Sequence, residues 1–299
     1  MICVKADIGG GALIRCQLRH MDDGSRAMTF KTLLVHAQAG AEPRLQTAVG
    51  LARAHGARVI GLGAEMFEPL TMADPYGFAQ GEWLALMRDQ IEKDLDLAQQ
   101  AFERCAADVE HEWRRVVDLP TPSLARTARA ADLIVTGGAP HRDRSGYRSA
   151  DIGELIVTAG RPVLVAPPSG GELSGRRVLV AWKDTREARR ATLDALPLLT
   201  RAEQVTVVAV VPEDQVEAAE FQTDEVAAWL QRHGAPAQGQ VIAGFDDEAG
   251  AQIQLLAAGV DADLIVAGGY GHNRFTEWLL GGVTRALLTD AAQFVLFSH

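Results

Sequence analysis

Cysteine is scarce in this chain. Cys3, Cys16 and Cys105 are the three among 299 residues, and no two share the spacing of a disulfide framework or a metal site. That excludes a disulfide-stapled secreted domain and a cysteine-built zinc centre, and it points to a reducing compartment, the cytoplasm. Positive charge is short too: 29 Lys and Arg against 39 Asp and Glu leave a net charge of -10. Without a basic stripe to follow a phosphate backbone, nucleic acid is excluded as a partner. No apolar run reaches membrane-spanning length, so no membrane partner is expected. With 47% hydrophobic and 23% charged residues, the rest is ordinary globular composition.

Residues 1–28 fit nothing that follows. Gly9, Gly10, Gly11 and Arg15 interrupt any apolar stretch, which argues against a signal peptide. The expectation is a disordered extension, or an upstream start codon assigned in error.

From Lys31 onward, strand and helix alternate. Apolar runs at Leu33–Val35, Val59–Leu62, Val109–Trp113, Leu133–Thr136 and Val163–Ala166 read as strands. Helical spacing occupies Pro43–His55, Trp83–Cys105, Thr121–Ala131 and Ile152–Ala159, and Glu65–Gln80 reads as a long loop. A Pro/Gly/Ser-rich stretch from Pro167 to Gly175 separates this from a second series, with the linker itself placed at 169–175. The second series has strands at Val178–Ala181, Val205–Val211, Gln238–Ile242, Leu264–Ala267 and Phe294–Phe297. Its helices fall at Glu187–Leu199, Asp214–His233 and around Ile253–Ala257. Alternation of this kind predicts parallel sheets covered by helices on both faces.

The two series are copies. Ala131-Asp-Leu-Ile-Val-Thr-Gly-Gly138 matches Ala262-Asp-Leu-Ile-Val-Ala-Gly-Gly269 at an offset of 131, and Val163–Val165 falls on Phe294–Leu296 at the same offset. The first strands, at Leu33 and Val178, are 145 apart, so the first half carries 14 extra residues, assigned to the Glu65–Gln80 loop. The division is 29–168, linker 169–175, and 176–299.

Chemistry gathers at the end of the second copy. The buried strand Leu264–Ala267 runs into Gly268 and Gly269; Gly271 comes three residues after Gly268, Gly281 ten after that, and helical spacing resumes at Val283. Strand, glycine loop and helix start present free backbone N–H groups and a positive helix end to an anion. Glycine lets a phosphate approach amides that a Cβ would hold off.

The Gly-two-Gly-nine-Gly spacing of Gly268, Gly271 and Gly281, with Thr284 behind it, resembles the nucleotide loop of the universal stress protein family. Ala181-Trp-Lys-Asp-Thr-Arg-Glu-Ala188 is similar to that family's first-strand turn. One departure is Gly282, which stands where the family has Ser or Thr and so removes a hydroxyl contact. The resemblance covers about 29–299, as a tandem form. It implies an α/β fold of two doubly wound parallel five-stranded sheets, adenine nucleotide alpha hydrolase-like, in strand order 3-2-1-4-5. It also implies that the two last strands pair across a pseudo-twofold axis.

The resemblance further implies ATP, ADP or AMP in the second half, with Mg²⁺ as a candidate companion. Adenine would lie against the strand end at Val210, and ribose near Lys183 and Asp184. Phosphates would lie on Gly271, Gly281, Gly282 and Val283, with Ala181, Trp182, Ala267, Gly268, His272 and Thr284 completing the site. Lys183 replaces a family Asp or Asn and is read either as a phosphate partner or as a solvated turn residue. The implied output is regulatory, in the stress response, through an intramolecular pseudo-dimer, a homodimer or a regulatory protein partner.

In the first half the equivalent loop is altered. Pro140 stands opposite Gly271 with no N–H to donate, Ala150 opposite Gly281, and Asp151 opposite Gly282. A carboxylate at that helix start satisfies the helix end and repels phosphate, so the first half is expected to bind no nucleotide.

Elsewhere, His141 and His272 read as surface residues, and Asp246-Asp247-Glu248 as a helix cap rather than a Mg²⁺ site. Trp182, Trp229 and Trp278 read as packing residues, and Cys105 as inert. No catalytic constellation emerges from spacing, so any ATP hydrolysis is expected to be slow. Two rival readings stand beside this one: an adenine-nucleotide hydrolase of the same fold, and a nucleotide-free interaction module.

Overall fold

The computed structural model describes residues 28–68, 78–137, 146–245, 247–270, 282–290 and 292–299. The expectations for residues 1–27, His141, Pro140, Asp246, Gly271, His272, Trp278 and Gly281 therefore lie outside the described residues.

The first half runs β1 (Thr32–His36), α1 (Glu42–His55), β2 (Arg58–Glu65), α2 (Phe78–Ala106), β3 (His111–Val117), α3 (Pro120–Thr127), β4 (Leu133–Gly137), α4 (Ile152–Thr158) and β5 (Val163–Ala166). The second runs β6 (Arg177–Ala181), α5 (Arg186–Asp194), α6 (Leu196–Leu199), β7 (Gln204–Val211), α7 (Val216–Arg232), β8 (Ala237–Ala243), α8 (Ala249–Gly259), β9 (Leu264–Gly268), α9 (Gly282–Asp290) and β10 (Phe294–Ser298).

All ten strands form one sheet in the order β3-β2-β1-β4-β5-β10-β9-β6-β7-β8. Each half thus has the expected order 3-2-1-4-5, and every pairing within a half is parallel. The halves join where β5 meets β10 antiparallel, with Val163 opposite Phe297, Leu164 opposite Leu296 and Val165 opposite Val295. Leu164, Leu296 and Phe297 are fully buried at this seam.

Central strands read as unbroken apolar runs because helices cover both faces. One face of the sheet carries Leu33, Val35, Val180, Val266 and Leu296 together with side chains of α1, α2, α5 and α7. The other carries Leu34, Ile134, Leu179, Ile265 and Phe297 with α3, α4, α8 and α9. Each fully buried Leu or Phe contributes about 1.5–3 kcal/mol of transfer free energy, so the two-faced core is where the stability resides. Caps set the helix ends: Thr185 Oγ1 accepts from Ala188 N at the start of α5, and Gly56 at φ +61 closes α1.

Three expectations shift. β3 lies at His111–Val117 rather than Val109–Trp113, because this partly exposed edge strand is mostly polar and gives no apolar run to mark it. The helix expected at Glu187–Leu199 divides at Ala195, ahead of Pro197, whose ring cannot continue α5. The expected long loop is shorter at both ends: β2 extends to Glu65 and α2 begins at Phe78. Most of the extra length between β2 and β3 is then helical, since α2 has 29 residues where α7 has 17. The linker, finally, is tied down. Thr47 Oγ1 on α1 donates to Gly171 O (2.7 Å), while Asp263 Oδ2 accepts from Ser174 Oγ and Gly175 N (2.6 and 2.7 Å).

Candidate functional site

Ligands of doubly wound sheets lie beyond the carboxyl ends of the strands, where strand order reverses. In the second half that is the crevice between β6 and β9. Pairing sets Ala181 beside Ala267 and beside Val208, so Ala181, Ala267 and the β7 end at Val210 share one edge. Ala267 is buried, while Ala181 and Val210 are half-buried. Trp182 N donates to Val208 O (2.7 Å), which folds its ring into the core at 8% exposure. Its Nε1 is sealed from solvent and has no hydrogen-bond partner among the described residues.

Lys183 and Asp184 are exposed at the turn that follows, with Asp184 facing Arg189 at 3.5 Å. Gly268 is required by close packing: a Cβ there would stand 2.6 Å from Ala188 N and 2.7 Å from the Glu187 carbonyl carbon. The start of α5 therefore rests directly on the end of β9.

The loop then turns toward the other half. Gly269 N donates to Ser298 O (2.8 Å), and Tyr270 adopts φ +65, unusual for a bulky residue. The Tyr270 hydroxyl lies over α4, where a Cβ on Gly153 would collide with it. Burial first, and the Asp151 carboxylate second, push the Tyr270 phenol up to about 12. Past the loop, α9 opens at exposed Gly282, with open space where a Cβ would stand; Val283 is half-buried and Thr284 is 5% exposed. The structure thus gathers Ala181, Trp182, Lys183, Asp184, Val210, Ala267 and Gly268 at one strand edge, and starts a helix at Gly282, one residue before the Val283 that the spacing predicts.

The first half has an open cleft of about 450 Å³ at the equivalent edge. Arg44, in the first turn of α1, lines it, and so do Gln38, Glu65, Asp94, Gly137 and Arg148. Arg44 Nη2 donates to Gln38 Oε1, Gln38 Nε2 donates to Arg148 O, and Arg148 Nη1 lies 3.0 Å from Asp94 Oδ2. Among the described residues Arg44 has no carboxylate at ion-pair distance, and its Nε is sealed from solvent with no partner. Burial lowers its guanidinium to about 10, which leaves it charged at neutral pH.

Beneath it, His36 is fully buried at the end of β1. Burial, then the Arg44 charge, hold its imidazole down at about 3; the Ala64 backbone opposes them weakly without meeting hydrogen-bond geometry. This polar group was missed in the sequence. The available signals were a histidine closing an apolar strand and an arginine in a first helical turn, the end where the helix dipole disfavours it.

Other expectations resolve simply. Asp151 caps α4, Oδ1 accepting from Glu154 N (2.9 Å), and Ala150 beside it is buried. Glu248 occupies the N-cap position of α8 but makes no side-chain cap, so that part of the capping expectation fails. Trp182 belongs to the core and Trp229 packs against it. Burial raises the Cys105 thiol, which keeps it protonated and unreactive. Among the described residues no three His, Cys, Asp or Glu side chains group as metal ligands, and no helix is long and apolar enough to cross a membrane.

The model of the universal stress protein family matches residues 175–298. No curated protein matches the chain. A universal stress protein structure from Archaeoglobus fulgidus DSM 4304 is 16% identical, spans 89% of this chain and 97% of its own, and superposes with a TM-score of 0.65. A functionally unknown protein from Pseudomonas aeruginosa PAO1 is 18% identical over 90% of this chain and 92% of its own, with a TM-score of 0.55. A universal stress protein from Archaeoglobus fulgidus in complex with dAMP is 19% identical over 46% of this chain and 98% of its own, with a TM-score of 0.29. At these identities the first two show a likeness of fold.

Proposed function

Residues 175–298 belong to the universal stress protein family, and from that premise we propose that the second half binds an adenine nucleotide, ATP or its relatives ADP and AMP. One observation carries the reading: the family match spans the half in which Gly268, Gly271 and Gly281 keep the nucleotide-loop spacing at the end of β9. Exposed Gly282 opening α9 fits a phosphate, because no Cβ bars an anion from the amides there. Adenine lies against the end of β7 at Val210 and ribose beside Lys183 and Asp184. Phosphates lie on the amides of Gly271, Gly281, Gly282 and Val283, with His272 and Thr284 at the margin and Mg²⁺ accompanying ATP. The output is regulatory: occupancy shifts the conformation or partner binding of a cytoplasmic protein acting in the stress response. The first half, 29–168, is a diverged copy that binds no nucleotide, because the Asp151 carboxylate occupies the helix end an anion would need.

Denaturing the purified chain and identifying released ligand by mass spectrometry tests this, followed by calorimetric titration with ATP. We expect one nucleotide per chain. We also expect Gly281→Val to weaken ATP at least about tenfold, since amide contacts to a charged group contribute roughly 1.5–3 kcal/mol each. Unchanged affinity in Gly281→Val refutes the phosphate loop, and two equivalent sites refute the diverged first half. Absence of any adenine ligand favours the interaction module, and rapid release of pyrophosphate or AMP the hydrolase.

A further inference from the structure

We propose that the cleft of the first half is a second ligand site, built for a small organic acid. Its single carboxylate or phosphomonoester group pairs with Arg44, and its apolar body lies along Pro43, Ala166, Pro167 and Pro168. This does not rest on the nucleotide reading of the second half.

The cleft, at about 450 Å³, has the size of a small-molecule site and sits at the strand edge where such sites form. It carries a cation, Arg44, that has no carboxylate at ion-pair distance among the described residues. Arg44 makes one side-chain hydrogen bond, to Gln38, and its Nε is sealed with no partner among the described residues. A guanidinium drawn partly out of water without a counter-charge costs free energy, and an anion arriving at its Nη groups lowers that cost.

The surroundings add to the demand. Arg44 lies in the first turn of the 14-residue α1, whose N-cap Ala41 offers no side-chain cap, so a guanidinium and the positive helix end stand together. Glu42 is in that turn, yet no ion pair joins it to Arg44 among the described residues. Guanidinium geometry suits a planar or tetrahedral oxyanion taken by two donors. Arg44 Nη1 lies over the end of β4, where a Cβ on Gly137 would stand 3.2 Å from it, so glycine leaves the guanidinium its place.

Glu65, 3% exposed, and Asp94 line the same cleft. Arg148 already neutralises Asp94. A triphosphate brings more negative charge than one guanidinium pairs, whereas a single carboxylate or phosphomonoester head is matched by Arg44. Pro43, Ala166, Pro167 and Pro168 also line the cleft and offer an apolar surface that inorganic anions would not use.

The test uses the full-length chain with benzoate and phenyl phosphate as probes and benzamide as the neutral control. The Arg44 Nε–H resonance is followed in an arginine-labelled NMR spectrum, and affinity is measured by calorimetry on wild type and Arg44→Gln. We expect at least one anionic probe to move the Arg44 Nε–H resonance, Arg44→Gln to bind it at least tenfold more weakly, and benzamide to do neither. Benzoate binding alone identifies a carboxylic acid, and phenyl phosphate alone a phosphomonoester. The proposal is overturned if neither probe moves the resonance at millimolar concentration, if affinity is indifferent to a folded Arg44→Gln variant, or if AMP displaces the probe.

Discussion

The fully buried His36 makes stability depend on pH in a way that one substitution can isolate. Its folded-state pKa is depressed to about 3 from an ordinary value of 6.5, by burial and by Arg44. A depressed pKa means that the unfolded chain takes up the proton first. Stability from the neutral ring is therefore present above pH 6.5 and is lost as pH falls toward 3. At pH 5 an unfolded imidazole is almost fully protonated while His36 is not, a difference of about 2 kcal/mol at ~1.36 per pKa unit. With an unfolding entropy of about 2.1 cal/mol/K per residue, a cooperative chain of this size loses roughly 3 °C in Tm. His36→Leu keeps an apolar group of similar bulk and cannot titrate. Urea and thermal unfolding of both proteins at pH 7, 6 and 5 gives the comparison. We expect wild type to lose about 2 kcal/mol more than the variant between pH 7 and pH 5. Equal losses would show that His36 is hydrated or already paired, and would refute the reasoning.

The alkaline limb belongs to Tyr270, whose pKa is raised to about 12. Its contribution is complete below the unfolded value of 10 and is lost as pH rises through about 12. The hydroxyl is half-exposed, so after solvent screening Tyr270→Phe should flatten that limb by only about 1 kcal/mol, read by urea unfolding at pH 8 and 11. Asp151→Ala removes the α4 cap and should cost about 1 kcal/mol in chemical denaturation, while Asp151→Asn, which caps equally well, should cost a few tenths.

The sheet was readable because of its burial. A parallel strand covered on both sides appears as an apolar run, so Leu133–Gly137 and Leu264–Gly268 stood out, and their match at four of five positions at one offset exposed the two halves. β3 did not: His111-Glu-Trp-Arg-Arg is mostly polar, because this edge strand is only partly covered. The strand-edge part of the candidate site was readable for a local reason, since Ala181 to Asp184 and Gly268 follow directly on strands. The cleft around Arg44 was not. Gln38, Glu65, Asp94, Gly137 and Arg148 come from separate elements and meet only through sheet pairing and helix packing, which no spacing along the chain records. Tyr270 was hidden for the same reason, because its significance lies in α4, far away in sequence.

The antiparallel seam has a consequence for synthesis on the ribosome. β5 is complete at Ala166, but its partner β10 is the last strand of the sheet, and Val163 waits for Phe297, 134 residues later. At ~5–20 residues per second that interval is roughly 7–27 s. Throughout it, one edge of a finished five-stranded sheet presents unpaired N–H and C=O groups flanked by Val163, Leu164 and Val165. A neighbouring nascent chain offers that edge an identical strand, the geometry from which edge-to-edge aggregation and exchange of β10 between chains begin. Crowded polysomes and slowed elongation should therefore lower soluble yield, and a chaperone that occupies strand edges should restore it.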